Sequence, residues 1–217
     1  LIKLGTLAGA VLVAGAAQAA EPLVTAEWVQ DNLGNPDVRI VEVSVDPGAY
    51  ERGHVPGAVS LNWHTDLVDP TRRDIADRES FQAKLREFGI GEGTHVVLYG
   101  DNNNWFAAWG AWVFDTYGIE VSLLDGGRKL WEAQGLPLET GVKEYEPSSI
   151  ELPERDESLR ARLSDVVDVA EGRLAASLVD IRSKDEYEGK VFAPEGVKEL
   201  SVRAGHIPSA VNVPWGS

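Results

Sequence analysis

From Leu23 onward, short apolar runs alternate with segments whose apolar residues recur at helical spacing. Thr25 is placed to cap a first helix, with Glu27 in its first turn and Val29 and Leu33 four apart on one face. Val38 to Val43 is a β-branched run of the kind that forms a buried strand, and Val59 to Leu61 is a second, shorter one. Phe81, Leu85 and Phe88 fall at i, i+4 and i+7, and Gly89 closes that helix. His95 to Tyr99 predicts a third strand. Trp105, Trp109 and Trp112 share a helical face before Tyr117 and Gly118. Val121 to Leu124 predicts a fourth strand, and Lys129 to Gln134 a helix ending at Gly135. Strands alternating with helices predict an α/β fold with a mainly parallel sheet flanked by helices. Gly141 to Arg162 is acidic, holds Pro147 and Pro153 and has weak periodicity, so residues 141–162 are expected to be a linker.

The pattern then repeats. Gly53-His54-Val55-Pro56-Gly57-Ala58-Val59-Ser60-Leu61-Asn62-Trp63 returns as Gly205-His206-Ile207-Pro208-Ser209-Ala210-Val211-Asn212-Val213-Pro214-Trp215, with six of eleven positions identical. Ile40 to Val43 corresponds to Leu178 to Ile181, and Thr25 to Ser164. Val41 to Trp63 is 22 steps and Val179 to Trp215 is 36, so the second copy carries 14 extra residues, expected as a loop around Gly189 to Ser201. The first copy, Leu23 to Leu138, has 116 residues; the second, from Leu163, has 55 before Ser217. By that ruler the chain is expected to be a fragment that stops inside its second domain.

Composition narrows the functions. Twenty Lys and Arg against 35 Asp and Glu give a charge of −15, which excludes nucleic acid as an expected partner. It also argues against anchoring on an anionic membrane surface. There is no cysteine, hence no disulfide, thiolate metal site or cysteine nucleophile within these residues. The chain lacks methionine and opens at Leu1, which predicts an incomplete or trimmed N-terminus. Residues 1–20 carry one charge, Lys3, then an apolar run from Leu4 to Ala17 ending in Ala17-Gln18-Ala19. That predicts a signal peptide, cleavage after Ala19, a periplasmic or secreted protein, and no stable membrane anchor once the signal is removed.

These motifs resemble the tandem-domain rhodaneses, the thiosulfate sulfurtransferase family. The family's first motif is an aromatic, three residues, then His, an aliphatic, Pro-Gly-Ala and a further aliphatic. Tyr50, His54, Val55, Pro56, Gly57, Ala58 and Leu61 match it throughout. In the second copy Val202 stands where the aromatic is expected and Ser209 replaces Gly. Leu123 to Arg128 with Trp131 resembles the closing motif more loosely. The resemblance implies two rhodanese-like domains, residues 23–140 and 163–217, the first non-catalytic and the second represented only by its N-terminal part.

It also implies a mechanism. A cysteine thiolate at the head of a strand-to-helix loop takes the outer sulfur of thiosulfate as a persulfide and passes it to cyanide or a thiol. Partners would be a small anionic, thiosulfate-like donor and a thiophilic acceptor. No cofactor or metal is implied, because the protein carries the sulfur. In the first copy the loop is Asp101-Asn102-Asn103-Asn104-Trp105-Phe106. Asp101 occupies the nucleophile position, where a carboxylate cannot hold a sulfane sulfur; its expected role is to cap the next helix. The Asn run suits unusual backbone angles. In the second copy, Arg182 matches the family's substrate-binding arginine, whose fork can hold two oxygens of an oxyanion. The bland alternative is a surface Arg182 paired with Asp185 or Glu186. A 3-mercaptopyruvate sulfurtransferase and a non-catalytic anion- or partner-binding module remain open. A phosphatase of similar design needs Cys and a closing Arg, which the loop lacks. His54, His64, His95 and His206 lack metal-ligand spacing and are expected as structural anchors. The Trp105, Trp109 and Trp112 face is expected to pack in the core or between domains.

Overall fold

The structure, a computed structural model, describes residues 21–69, 71, 74–194 and 203–215. The expected signal segment, residues 1–20, lies outside the described residues, as do Val202 and part of the expected loop after Gly189. The chain forms two compact units that divide after Asp156.

Unit 1 is a five-stranded sheet, parallel throughout. Its strands are β1 (Leu23–Val24), β2 (Val38–Ser44), β3 (Val59–Asn62), β4 (His95–Tyr99) and β5 (Val121–Leu124), in the order β1-β5-β4-β2-β3. Both β2 and β4 have a strand on each side, and each face of the sheet carries helices. β4 is therefore largely apolar on both sides, with Val96, Val97 and Leu98 in a run, and β2 is apolar at Val38, Ile40, Val41 and Val43 but holds Arg39 and Glu42 buried between them. One face buries Val41, Val43, Val96 and Leu98 against α4 (Arg78–Glu87) and α5 (Trp105–Thr116), through Phe81, Leu85, Val113 and Phe114. The other buries Ile40, Val97 and Tyr99 against Val29 of α1 (Ala26–Asp31) and Trp131 of α6 (Gly127–Ala133). Short helices α2 (Ala49–Arg52) and α3 (Trp63–Asp66) flank β3 and were not signalled by periodicity.

Thr25 caps α1 by accepting from the Trp28 amide. Its counterpart Ser164 does not cap: α7 (Leu163–Ala170) starts after Arg162, and Asp165 accepts from the Arg162 amide. Ser164 is thus the second residue of the helix, so the correspondence with Thr25 does not extend to the cap. The stretch expected as a linker is not free over its first half. Tyr145 donates to the Gly57 carbonyl (2.6 Å), Arg86 Nε donates to Ile150 O (2.8 Å), and Leu152 is buried. Acidic composition hid a strap whose few apolar residues are well placed.

Unit 2 is small. Strand β6 (Val179–Asp180) pairs in parallel with β7 (Val211–Asn212), and α8 (Lys184–Tyr187) follows β6. The register Val179 to Val211 and Asp180 to Asn212 reproduces Val41 to Val59 and Glu42 to Ser60 in unit 1. Among the described residues no helix is long and apolar enough to cross a membrane.

Candidate functional site

In a parallel sheet, ligands gather at the carboxyl ends of the strands. Here β4 ends at Tyr99, and the chain turns through Gly100 to Asn104 into α5. Gly100 is required: a Cβ there would lie 2.0 Å from the Val43 carbonyl oxygen. The next four residues hold the position where the family resemblance expects a nucleophile.

Asp101 does not cap α5. Its Oδ2 accepts from the amides of Val45 (3.0 Å) and Asp46 (2.6 Å), the residues that follow β2. Its side chain makes no bond to the following helical turn, so the capping expectation is corrected. The carboxylate acts as a brace between the exits of β4 and β2. Asn102, Asn103 and Asn104 all take left-handed angles, with φ of 47°, 55° and 63°. Asn tolerates this region better than most residues with a Cβ. Asn104 then locks the loop: its Nδ2 donates to Leu124 O (2.8 Å) and its Oδ1 accepts from the Gly100 amide (3.0 Å). Gly127 must lack a side chain, since a Cβ would stand 2.2 Å from that Oδ1.

Beneath the loop lies a buried polar cluster that sequence reasoning missed. Glu42 on β2 is fully buried and accepts from Arg128 Nη1 at 3.0 and 2.8 Å, from Tyr99 Oη at 2.5 Å and from Ser44 Oγ at 2.8 Å. Arg128 also donates to the Gly53 carbonyl and pairs with Glu132 at 2.8 Å. Burial first, then the Glu42 charge, raises the Tyr99 phenol well above its ordinary value, so it remains a donor. The only hints were a Glu inside an apolar strand and the Arg of the closing motif, which lie 86 residues apart.

A cavity of about 560 Å³ opens over this loop, lined by Asp46, Arg52, Asp101, Arg128, Lys129 and Glu132 among others. Arg52 is paired with Asp46, and Arg128 with Glu42 and Glu132. Carboxylates offset the cations, which is poor chemistry for a dianion.

The repeated motif is built alike in both units. The Tyr50 ring stacks on His54, with centroids 3.7 Å apart; His54 Nδ1 meets Tyr50 O at 2.9 Å, and Tyr50 Oη donates to Ala58 O at 2.7 Å. In unit 2 the ring that does this is Tyr187. It stacks on His206 at 3.7 Å, His206 Nδ1 meets Tyr187 O at 2.8 Å, and Tyr187 Oη donates to Ala210 O at 2.8 Å. The aromatic of the second motif is therefore Tyr187, not the residue at 202. The extra residues fall between the aromatic and the histidine.

Arg182 is not paired with Asp185 or Glu186. Its Nη2 bonds to Asp180 Oδ2 (2.6 Å) and to the Gly205 carbonyl (2.8 Å), and its Nε to Asp180 Oδ1 (3.0 Å). A β-strand carboxylate plus the glycine carbonyl ahead of the motif histidine is also what Arg128 holds in unit 1. Of the other histidines, His64 is exposed and its amide bonds Asn62, while His95 Nε2 meets Ser122 Oγ at 2.8 Å. On the tryptophan face, Trp109 packs edge-on against Trp112 and Trp63, and Trp105 is largely exposed.

Residues 25–134 match the family model described as Rhodanese-like domain. A putative thiosulfate sulfurtransferase of Mycolicibacterium smegmatis is 48% identical over 195 residues, covering 89% of this chain and 69% of that protein. The sulfur carrier protein TtuD of Thermus thermophilus is 45% identical over 201 residues, covering 90% of this chain and 70% of that one. Among solved structures, the 3-mercaptopyruvate sulfurtransferase SseA from Escherichia coli is similar with a TM-score of 0.75 at 27% identity, over 90% of this chain and 76% of that one.

Proposed function

We propose, because this chain belongs to the rhodanese-like domain family, that it serves a thiosulfate sulfurtransferase as its amino-terminal, non-catalytic part. The observation that carries this reading is the Asp101 loop. Its carboxylate is spent on two β2-exit amides, and a carboxylate cannot carry a sulfane sulfur. Unit 1 is then a scaffold, and catalysis needs a thiol supplied elsewhere.

In the proposed reaction a cysteine thiolate attacks the outer sulfur of thiosulfate. The S–S bond breaks and sulfite leaves with the electron pair. Cyanide then attacks the outer persulfide sulfur, releasing thiocyanate and restoring the thiolate. These 217 residues hold no cysteine. Trp63 to Asp101 is 38 steps; in a longer chain continuing the repeat, the nucleophile would fall near 215 + 38 = 253. Arg182 stands as the proposed donor-binding residue, and to serve it must trade its bonds to Asp180 and Gly205 for the donor's oxygens. The proposal includes export with cleavage after Ala19, from the run ending Ala17-Gln18-Ala19. The likeness to SseA favours 3-mercaptopyruvate as an alternative donor.

Thiocyanate formation is the test. The 217-residue chain should form none from thiosulfate and cyanide, and Asp101→Cys should add little, because residues 102–106 offer no cation to hold the donor's charge. A longer product of the same gene carrying a cysteine near 253 should turn over. In it, Arg182→Ala should lower kcat/KM for thiosulfate by about ten- to hundred-fold, the worth of one charge-assisted contact. Turnover by the cysteine-free chain would overthrow the mechanism. An aspartate near 253 would leave the partner-binding module as the reading.

A further inference from the structure

At the opposite end of the sheet from the Asp101 loop lies a second cavity, of about 480 Å³. It sits where α1 runs into β2, bounded by residues 32–36, the first residues of β2, Pro56 and Gly57, and the strap at Lys143 and Tyr145. Its charge sets it apart. Arg39 and Lys143 line it, and no Asp or Glu does. The four other cavities described in unit 1 each carry carboxylates: Asp101, Glu51, Glu92 and Asp115 are examples. In a chain of net charge −15 two cations line this cavity, and the carboxylate that reaches its wall, Glu139, is engaged by the Gly57 amide at 2.5 Å.

Arg39 is 6% exposed and has no carboxylate partner among the described residues. Its Nε donates to Phe88 O at 2.8 Å, its Nη1 reaches Val38 O at 3.4 Å, and its guanidinium lies 3.4 Å from the centre of the Tyr145 ring. Two carbonyls and a ring hold the group in place but do not neutralise it. A buried charge of this kind is costly unless a counter-charge completes it. Lys143 is exposed at the mouth and can add a second cation. The rest of the wall is mostly apolar, with Leu33, Pro36, Ile40 and Pro56, and adds the neutral amides of Asn32 and Asn35. The volume is in the range of small-molecule sites, about 300–1,000 Å³.

We propose that this cavity binds a small organic carboxylate, its anionic end on Arg39 and Lys143 and its apolar body against Leu33, Pro36 and Pro56. The assignment is independent of the sulfur-transfer reading, because the site and the Asp101 loop lie at opposite ends of β2 and β4.

The test uses the isotope-labelled 217-residue chain, titrated at constant ionic strength with sodium benzoate and, separately, with inorganic phosphate. Benzoate should give saturable amide shifts at Gly34, Asn35, Gly57 and Lys143, with residues 101–104 unmoved. Lys143→Glu should weaken benzoate at least about tenfold, the loss of one charge-assisted contact. Lys143 is exposed, so this variant keeps its fold. Arg39→Lys should abolish saturation, and an unchanged amide spectrum elsewhere would separate that from unfolding. Unsaturating shifts, shifts centred on residues 101–104, or full affinity in Lys143→Glu would overturn the site. Phosphate binding as tightly as benzoate would overturn the organic-carboxylate class.

Discussion

His54 and His206 make the same three contacts yet live in different surroundings. Each stacks on a tyrosine at 3.7 Å, each meets that tyrosine's carbonyl, and each tyrosine hydroxyl reaches an alanine carbonyl two strand-ward residues past the motif proline. His54 is fully buried, however, and His206 is exposed. The turn is thus set by local chemistry: a histidine, a proline and an aromatic ring suffice to build it. Burial is set by the sheet. In unit 1 the motif lies beneath Glu139, which exchanges two backbone bonds with His54, and beside Arg128; in unit 2 the sheet described has two strands. The same geometry should therefore carry different energies, and substitutions made in pairs can measure the difference.

The arginine pair should separate most. Arg128→Met leaves Glu42 buried with no counter-charge, and breaking such a pair typically costs about 3–5 kcal/mol. Arg182→Met removes a partly exposed pair to Asp180, worth within about 1 kcal/mol. Urea unfolding of each variant, with amide exchange at Val41 and Val179 to assign the loss to a unit, checks the ratio. Equal losses would break the comparison. Glu42→Gln added to Arg128→Met should recover part of the loss, because the orphan is then a neutral amide.

The tyrosine pair should separate less. Tyr50→Phe strands the buried Ala58 carbonyl and should cost about 1–3 kcal/mol, since no water reaches it. Tyr187→Phe should cost below about 1 kcal/mol, because Tyr187 is only half-buried and water can replace its hydroxyl. The readout is the difference in unfolding free energy between the two variants. A larger loss at Tyr187 would show that unit 2 is tighter than its described residues suggest.

The same contrast explains what the sequence disclosed. The strands of unit 1 were legible because central parallel strands need apolar residues on both faces, which leaves uninterrupted runs such as His95 to Tyr99. The closing Arg128 and the loop residue Asp101 were legible as positions, not as partners. Their contacts with Glu42, Val45 and Asp46 span 86, 56 and 55 residues, and nothing local encodes them. Tyr187 was missed for a different reason. Spacing from His54 back to Tyr50 is four, but from His206 back to Tyr187 it is 19. Counting forward from the strand finds it: Val43 to Tyr50 is seven steps and Ile181 to Tyr187 is six. Insertions preserve the distance to the nearer element, so the strand was the better ruler.

The smallest expected effect is a pH dependence confined to unit 2. Hydrogen bonds from the Arg182 guanidinium, and then its charge, hold the Asp180 carboxyl below its ordinary value of 3.8. A folded-state value below the unfolded one means that folding favours the ionised form. The stabilisation is complete above the unfolded value and is lost as pH falls through it toward the lower folded value. Unit 2 should therefore loosen below about pH 4, and Arg182→Gln should remove that dependence while leaving the remaining acid response intact. Because the pair is partly exposed, solvent screening keeps the effect within about 1 kcal/mol. Carbon-detected titration of the Asp180 carboxyl reads it directly. A midpoint at or above 3.8 in the unaltered chain would mean that Arg182 is not held by Asp180 in solution, and a donor would then not have to displace that carboxylate.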